Sequence, residues 1–323
     1  MHAIRIDRTG GPEVLQLTDV PTPTAGPGQV LIRQTTAGIN YIDVYFRTGL
    51  YPTQLPVTLG REGAGVVEAV GEGVIDLHAG DRVAYTNVAG GGYAEYNAVN
   101  AAEVVATPEG VSDEVACALM LQGMTAHYLV SDVFPLRSGH VALVHAAAGG
   151  VGLLLVQLAK ARGATVIGLV GTDAKAELAR QAGAHHVIVY ADEDFAEATE
   201  RLVGEHAVDV AYDSVGKETW ERSLRVLRPR GMLVNFGNAS GPMPALEPQR
   251  LSAAGSIFFT RPTLVDFIRH RDERVARAKD LFDHVIAGKL DVRIGGSYPL
   301  ADASRAHRDL ESRATTGKLV LRP

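Results

Sequence analysis

A run of small residues at 146–152, with the sequence AAAGGVG, has the composition of a phosphate-binding turn. It follows the apolar segment VALVH and precedes LLLVQLAKAR, which has the pattern of an amphipathic helix. Small residues let the backbone approach a pyrophosphate, Gly152 permits close packing of helix on strand, and the helix N-terminus contributes partial positive charge. An ordinary turn could contain the same glycines, but a position inside a βαβ unit favours dinucleotide binding. The predicted contacts are Gly149, Gly150, Val151 and Gly152.

The end of the next predicted strand distinguishes NAD from NADP. An acidic residue there would bind the ribose 2'-hydroxyl and repel a 2'-phosphate, but the strand ends at Gly171 and Thr172, which leave backbone donors and space. Lys175 in the following helix and Tyr190 at the end of the third strand add a cation and a phenol, so NADPH is the predicted cofactor. Asp173 could be taken for an NAD-selecting acid, but we expect it to cap the helix that begins near residue 174. Lys175 could alternatively be a solvated lysine at a helix start.

Three further strand ends are rich in turn residues: DSVG at 213–216, NFGN at 235–238 and TRP at 260–262. In an open parallel sheet, ligands bind outside the carboxyl ends of the strands, so these loops should line the ribose and nicotinamide of the cofactor. Ordinary turn chemistry favours the same residue types, so each loop alone is only moderately informative. The residues singled out are Ser214, Phe236, Gly237, Asn238, Thr260 and Arg261.

A parallel sheet is needed to bring these segments together. From about residue 123 the chain alternates apolar strand, glycine turn and amphipathic helix, which is typical of an α/β sheet covered by helices on both faces. The predicted strands of this doubly wound Rossmann sheet span 141–145, 165–170, 186–190, 208–213, 231–236 and 256–260. Residues 1–122 instead show short alternating runs with tight turns, which predict a mainly β region. A helix is predicted over 264–287, and strands at 294–298 and 319–322 should return to the first domain.

Length and composition argue against several classes of protein. A chain of 323 residues exceeds the size that one hydrophobic core usually serves, so we expect two domains that share a cleft. The net charge of −6 and the pI of about 6.0 argue against a nucleic-acid partner. No apolar run approaches the roughly 20 residues that cross a bilayer, and the first residues lack a secretory pattern, so no membrane association and a cytoplasmic location are expected. Cys117 is the single cysteine and can form neither an internal disulfide nor a multi-thiolate zinc site.

Several segments resemble the medium-chain dehydrogenase/reductase family. They are GINYIDVYFRTGLY at 38–51, LGREGAGVVEAVGEGV at 59–74, AGDRV at 79–83, HAAAGGVG, YDSVG, NFGN and LESRATTGK. They are most similar to its zinc-independent NADPH:quinone oxidoreductases, the zeta-crystallin-like branch, and the similarity covers essentially the whole chain in order. It implies a GroES-like catalytic domain formed by 1–122 and 263–323, a Rossmann domain at 123–262, and a homodimer joined through an edge of the Rossmann sheet.

Two positions depart from the zinc alcohol dehydrogenases of this family. In those relatives a cysteine and a histidine bind the metal where this chain has Asn40 and Arg61. An amide is a poor zinc ligand and a guanidinium cannot bind a cation, so no metal site is expected. Without a Lewis acid, no metal polarises the carbonyl group in alcohol oxidation. A conjugated acceptor needs less help, because it delocalises the accepted negative charge onto oxygen.

The expected reaction is direct hydride transfer from NADPH to a quinone, promoted by proximity and by hydrogen-bond donors near the developing oxyanion. The resemblance implies that the GIN-x-x-D-x-Y stretch lies beside the nicotinamide. The candidate catalytic residues are therefore Asn40, Tyr45 and Arg47, with Asp43 orienting them and Tyr41 near the cofactor. Asp43 and Tyr45 could instead hold the start of a helix in place. The resemblance also implies cofactor contacts by Thr125, Tyr128, Ser214, Phe236 and Asn238.

Two other functions are compatible with the same residues. An enone or enoyl reductase would use the same NADPH site to reduce a carbon–carbon double bond. A non-catalytic NADPH-binding protein, as some zeta-crystallin relatives are, would bind the nucleotide without turnover, although the acidic pI argues against an RNA-binding version. The response to different acceptors separates these alternatives.

Overall fold

The computed structural model describes residues 1–86 and 89–323. Its strands are β1 (His2–Ile6), β2 (Gln16–Asp19), β3 (Gln29–Ile39), β4 (Val57–Thr58), β5 (Glu62–Val70), β6 (Arg82–Thr86), β7 (Tyr96–Asn100), β8 (Val104–Ala106), β9 (Val141–Val144), β10 (Thr165–Val170), β11 (His186–Val189), β12 (Val208–Asp213), β13 (Leu227–Asn235), β14 (Phe258–Thr260), β15 (Ile294–Pro299) and β16 (Lys318–Arg322). Its α-helices are α1 (Tyr41–Thr48), α2 (Asp113–Ala118), α3 (Met124–Tyr128), α4 (Gly150–Ala161), α5 (Asp173–Ala182), α6 (Phe195–Val203), α7 (Trp220–Val226), α8 (Pro248–Ala253), α9 (Leu264–Phe267), α10 (Arg271–Ile286) and α11 (Ala303–Glu311).

Contacts within the chain divide it into two compact units. One unit comprises Met1–Met124 and Ile268–Pro323, and the other comprises Thr125–Phe267. The first is mainly β, and the second alternates strands and helices. This arrangement confirms the predicted fold class, an α/β sheet with a separate mainly β domain.

The unit Thr125–Phe267 is built on one parallel sheet with the order β11-β10-β9-β12-β13-β14. Numbered from its own first strand this order is 3-2-1-4-5-6, the doubly wound order of dinucleotide-binding domains. Buried apolar side chains of the strands, among them Leu143, Ile167 and Ala211, pack with Phe195 and Trp220 of the helices. The central strands β9, β10 and β12 are almost entirely buried. Buried parallel strands are near-continuous apolar runs in sequence, which explains why the pattern predicts them well.

The predicted strands agree closely with the observed ones. The ranges 165–170 and 208–213 coincide with β10 and β12. The penultimate strand differs most, since β13 begins at residue 227, four positions before the predicted start at 231. Its register with β12 shifts between Val208 and Val210. An irregular strand start of this kind cannot be recognised from the pattern of apolar residues in the sequence.

The other unit contains a seven-stranded sheet and a three-stranded sheet. The larger has the order β15-β16-β3-β5-β6-β8, with β7 also paired to β3, and the smaller has the order β2-β1-β4. The last strand, β16, pairs antiparallel with β3, with Leu319 opposite Ile39. Because β3 ends at residue 39 and β5 begins at residue 62, Asn40, Glu62 and Lys318 lie at neighbouring strand ends.

The single helix predicted over 264–287 is wrong. The structure has two helices, α9 and α10, separated at 268–270. His270 adopts an extended backbone, with φ −93° and ψ 142°, so the helical hydrogen-bond series cannot run through it. The interruption coincides with the boundary between the two units, which follows Phe267.

Within the part of the chain that the structure describes, no helix combines the length and apolar character required to span a membrane.

Candidate functional site

The glycine run lies between β9 and α4 in a geometry that requires small residues. Gly149 precedes the first residue of α4, and Ala146 has a positive φ of 48°. A Cβ on Gly152 would lie 2.2 Å from the carbonyl oxygen of Ala146, a distance that real Cβ atoms do not adopt. Only glycine therefore permits this approach of helix to strand, and the open amides at the start of α4 suit an anion.

The end of β10 carries the residues predicted to select NADPH. Thr172 caps α5, because its hydroxyl oxygen accepts from the backbone N–H of Lys175 at 3.4 Å. Asp173 is the first helical residue and not the cap that the sequence predicted. A Cβ on Gly171 would lie 2.9 Å from the Tyr190 hydroxyl, so the Tyr190 side chain lies across this turn. Partial burial lowers the pKa of Lys175.

The remaining strand ends meet at the same carboxyl edge of the sheet. The loops after β12 and β13 are in contact: the backbone N–H of Ala239 donates to the Ser214 carbonyl at 3.1 Å. A Cβ on Gly237 would lie 2.5 Å from that same carbonyl oxygen, which excludes any larger residue. After β14, Arg261 turns back and donates to the Asn235 carbonyl at 3.2 Å. The edge therefore brings together these site predictions: Gly149, Gly150, Val151, Gly152, Gly171, Thr172, Lys175, Tyr190, Ser214, Phe236, Gly237, Asn238, Thr260 and Arg261.

Thr125 and Tyr128 belong to α3 and not to a strand end. Thr125 is buried, and the Tyr128 ring stacks on Phe267 with centroids 4.3 Å apart and an interplanar angle of 3°. Their assignment to the cofactor stays a prediction.

In the other unit, α1 starts directly after β3 at the predicted acceptor stretch. The Asp43 carboxylate accepts from the backbone N–H of Asn40 at 2.9 Å, so Asp43 does hold this helix start. Tyr41, Tyr45 and Tyr51 form an aromatic group, with Tyr45 and Tyr51 edge to face at 5.2 Å between centroids. The stretch thus presents an amide, a carboxyl group and phenol rings within two turns of helix.

Three polar side chains, the buried Glu62 and Lys318 and the partly buried Gln122, fix the Asn40 amide. Its Oδ1 accepts from Lys318 Nζ and from Gln122 Nε2, each at 3.0 Å. Its Nδ2 donates to Glu62 Oε1 at 2.7 Å, and Glu62 is itself ion-paired with Lys318. Glu62 also accepts from the backbone N–H of Leu121 at 2.8 Å. The amide can therefore adopt only one orientation, in which one of its two N–H bonds points to Glu62.

Arg47 is committed to contacts inside its own unit. It is 1% exposed, and it donates to both oxygens of Glu311 at 2.8 Å, to His307, and to the Gly10 carbonyl. A bidentate guanidinium in this position ties α1 to α11. The geometry favours a role for Arg47 in holding α1 in place, and its predicted catalytic role stays a prediction.

Arg61 and Asn40 do not form a place for zinc. The Arg61 guanidinium lies over the Phe46 ring, 4.0 Å from its centroid, and Asn40 contacts the Lys318 ammonium. A second cation beside that ammonium would be repelled, and the nearby carboxylate of Glu62 already pairs with it. Throughout residues 1–86 and 89–323, no cluster of three or more His, Cys, Asp or Glu side chains could hold a metal. The residues present do not fit the zinc of the related dehydrogenases.

Sequence reasoning missed Glu62, Lys318, Gln122, Tyr93 and His307, which form most of the polar surroundings of Asn40 and Asp43. One signal was available for Lys318: a lysine directly before the apolar run LVLR at the start of a strand. Nothing in the sequence, however, indicated which carboxylate would neutralise it.

Two protein-family models match this chain, one in each of two separate segments. Residues 26–109 match the family model described as "Alcohol dehydrogenase GroES-like domain", and residues 150–286 match the one described as "Zinc-binding dehydrogenase". A quinone oxidoreductase of Pseudomonas aeruginosa is 45% identical, with 97% of each chain covered. A 2-haloacrylate reductase of Burkholderia sp. is 42% identical, with 98% of each chain covered.

A solved structure supports the same family assignment. The Escherichia coli quinone oxidoreductase complexed with NADPH superimposes with a TM-score of 0.98 at 42% identity, with 100% of both chains covered. The chain therefore belongs to the medium-chain dehydrogenase/reductase family and, within it, to the zeta-crystallin-like branch.

Proposed function

We propose that this chain is a zinc-independent oxidoreductase in which hydride from NADPH reduces a quinone. The observation that carries the proposal is similarity over nearly the whole chain to quinone oxidoreductases, one of them crystallised with NADPH. The chain's own residues support it, because the Rossmann edge has the small residues that a pyrophosphate needs and the surroundings of Asn40 exclude zinc.

The cofactor would be held along the carboxyl edge of the parallel sheet. Gly149, Gly150, Val151 and Gly152 offer backbone amides at the start of α4 to the pyrophosphate. Selection of NADPH would come from Thr172, Lys175 and Tyr190 at the ends of β10 and β11, where a cation and hydroxyl donors suit a 2'-phosphate.

The nicotinamide and its ribose would be held by the loops after the other strands. The proposed contacts are Ser214, Phe236, Gly237, Asn238, Thr260 and Arg261, with Thr125 and Tyr128 from α3. When bound, NADPH supplies the hydride. The protein's contribution is to hold this ring in position, which is where much of the rate enhancement of such reactions arises.

We propose that the Asn40 amide donates a hydrogen bond to the oxygen of the acceptor that becomes negatively charged. Lys318, Gln122 and Glu62 lock its amide, and within the described residues the second N–H of Nδ2 has no protein partner. A pre-oriented buried donor stabilises developing negative charge better than mobile water does. Tyr45 would lie beside the acceptor and Tyr41 beside the nicotinamide, while Asp43 and Arg47 hold α1 in place.

We also propose a cytoplasmic homodimer joined through the Rossmann sheet. Among residues 1–86 and 89–323, edge strand β14 pairs only with β13, and Phe258 on it is 58% exposed. An exposed apolar side chain on an unpaired strand edge suits pairing with a second copy.

Steady-state assays with several acceptors test the function. With NADPH, we expect 1,4-benzoquinone to be reduced at a higher kcat/KM than either an alkenal or 2-haloacrylate, the substrate named for one relative. Indifference to quinones together with turnover of alkenes would identify a double-bond reductase instead. Tight NADPH binding without turnover of any acceptor would indicate a non-catalytic protein, and stoichiometric bound zinc would contradict the metal-free assignment.

A further inference from the structure

A buried carboxylate, that of Asp213, stands at the carboxyl end of β12. It is 0% exposed, and it accepts three hydrogen bonds from the segment that follows the strand. Its Oδ1 accepts from the backbone N–H groups of Val215 and Gly216, at 2.7 and 2.9 Å. Its Oδ2 accepts from the hydroxyl of Thr219 at 2.7 Å. One side chain therefore fixes both the turn after β12 and the residue that precedes α7.

The backbone of Asp213 is bonded to the next strand end as well. Its carbonyl oxygen accepts from the backbone N–H of Phe236 at 2.8 Å and from Asn235 Nδ2 at 3.4 Å. Asn235 is the register partner of Asp213 on β13, is 2% exposed, and also donates to the Gly237 carbonyl at 3.1 Å. Two buried side chains at neighbouring strand ends thus hold the starts of both loops.

Farther from the strands, the loops after β12 and β13 are bonded to each other. The backbone N–H groups of Ala239 and Ser240 donate to the carbonyls of Ser214 and Val215, at 3.1 and 2.9 Å. The Ser240 hydroxyl also donates to the Val215 carbonyl at 2.8 Å, and it accepts from the backbone N–H of Glu218 at 3.1 Å. The two loops are therefore joined along most of their length.

We call residues 214–218 and 236–241 the paired loop. Its two halves lie so close together that small residues are required between them. Gly216 has a φ of 89°, and a Cβ on it would lie 2.8 Å from the carbonyl oxygen of Gly241. The close packing and the hydrogen bonds form the paired loop from the protein's own groups alone, so it does not need a ligand to order it.

The paired loop and the residues proposed to bind the 2'-phosphate lie on opposite sides of β9. The sheet order is β11-β10-β9-β12-β13-β14, and Thr172, Lys175 and Tyr190 follow β10 and β11. A dinucleotide bound where the strand order reverses places one nucleotide half on each side. The adenosine half would then lie over β10 and β11, and the nicotinamide half would lie against the paired loop.

We propose that Asp213 is a positioning residue that acts through the paired loop to fix the nicotinamide half of NADPH. The inference rests on the proposed function, in which this loop borders the nicotinamide and its ribose. Asp213 is buried beneath the loop and acts without touching the nucleotide. Its effect is confined to one half of the cofactor, and this distinguishes it from a general contribution to stability.

Titration of the full-length protein with two nucleotides tests the proposal. NADPH contains both halves of the cofactor, whereas 2',5'-ADP contains the adenosine and the 2'-phosphate but no nicotinamide. Asp213→Ala should bind NADPH about 10-fold more weakly, because the loop loses its hydrogen bonds to the carboxylate and must be ordered when the nucleotide binds. The affinity for 2',5'-ADP should not change. Equal losses for both nucleotides, or an unchanged NADPH affinity, would overturn the proposal.

The conservative variant Asp213→Asn shows whether the hydrogen bonds carry the effect. Its amide oxygen can accept from Val215 and Gly216, while its N–H group donates to the Thr219 hydroxyl, which can also accept. Asp213→Asn should therefore bind NADPH more tightly than Asp213→Ala. Equal weakness of the two variants would contradict a role through these bonds.

Asp209 provides a matched control at the opposite end of the same strand. Its carboxylate accepts from the backbone N–H of Val141 and from Arg228, so it too is a carboxylate that holds a neighbouring segment. Asp209→Asn should leave both nucleotide affinities unchanged. A loss of NADPH affinity as large as that of Asp213→Ala would show that any disturbance of β12 has this effect, and would overturn the proposal.

Ser240→Ala tests the paired loop even if Asp213→Ala fails to fold. Ser240 is only partly buried, and the substitution removes the hydroxyl that bonds to Val215 and Glu218. The NADPH affinity should fall by a smaller factor than in Asp213→Ala, and the affinity for 2',5'-ADP should again be kept. An unchanged NADPH affinity in this variant would likewise contradict the proposal.

Nucleotide binding is measured without an acceptor, so these titrations separate the inference from the proposed function. If the wild type bound NADPH but reduced no quinone, the proposed function would fail, and the titrations would still decide the role of Asp213. If the wild type reduced quinones and Asp213→Ala bound NADPH as tightly as the wild type, only the role of Asp213 would be refuted.

Discussion

The ammonium of Lys318 lies 3.0 Å from the side-chain oxygen of Asn40, although 278 positions separate the two residues in sequence. Both are buried, and Glu62 completes the cluster by pairing with Lys318 and accepting from the Asn40 amide. The ammonium thus interacts with both the amide oxygen of Asn40 and the carboxylate of Glu62. A fixed amide, and not a Lewis acid, is thus the polar group at the end of β3.

Loss of the Lys318 charge should destabilise the protein strongly. Lys318→Met leaves the buried Glu62 carboxylate uncompensated, and we expect the free energy of unfolding to fall by about 3–5 kcal/mol. Urea unfolding measures it. The double variant Lys318→Met with Glu62→Gln should recover part of the loss, and Lys279→Met, which breaks an exposed ion pair with Asp283, should leave the midpoint unchanged. A single variant as stable as the wild type would contradict the prediction.

Lys175 should discriminate between the two nicotinamide nucleotides. Lys175→Ala removes the cation proposed to bind the 2'-phosphate, so NADPH affinity should fall about 10- to 100-fold, as expected for a charge-assisted hydrogen bond. NADH affinity should change little. Fluorescence titration with both nucleotides provides the measurement, and the exposed Lys279→Ala is the control. Equal losses for NADPH and NADH would refute the assignment.

Gly152 should tolerate no side chain. A methyl group at this position would meet the Ala146 carbonyl oxygen at 2.2 Å, so helix α4 would have to move away from β9. Gly152→Ala should reduce the free energy of unfolding by about 1–3 kcal/mol and weaken NADPH binding. Gly26→Ala is a suitable control, because its added Cβ would meet only the flexible end of Gln29. Similar behaviour of the two variants in thermal unfolding would show that the close approach has no energetic role.

The pH dependence of stability should reveal two opposing groups. The pKa of Asp43 is raised from 3.8 to about 6, so its contribution to stability is lost as pH rises through that interval. The pKa of His307 is lowered from 6.5 to about 3, so its contribution is lost as pH falls. The two effects oppose each other in the wild type between pH 3.8 and about 6.

Replacement of Asp43 should leave the effect of His307 on the pH dependence of stability unopposed. In Asp43→Asn, stability should rise more steeply with pH across this interval, by about 3 kcal/mol in total relative to the wild type. Urea unfolding at several pH values gives the two curves, and parallel curves would show that Asp43 does not titrate there.

The Rossmann sheet was predictable from the sequence because its central strands β9, β10 and β12 are buried on both faces. Apolar runs such as 165–170 and 208–213 carry enough hydrophobic signal to mark strand positions without knowledge of their neighbours. Glycines at strand ends likewise marked the ligand-binding edge, since close backbone approach has a local cause at Gly152. The break between α9 and α10 was not predictable, because the apolar pattern continues through residues whose backbone turns at a unit boundary.

The sequence by itself determined that Asn40 and Arg61 stand where zinc ligands would be, because side-chain chemistry does not depend on the fold. Only the tertiary structure decided that Lys318 and Glu62 lock the Asn40 amide, and that Tyr93, itself in contact with His307, donates to one oxygen of Asp43. Hydrogen bonds and ion pairs act over about 3 Å between atoms from distant strands and helices, so their partners are set by strand pairing and helix packing and not by spacing along the chain.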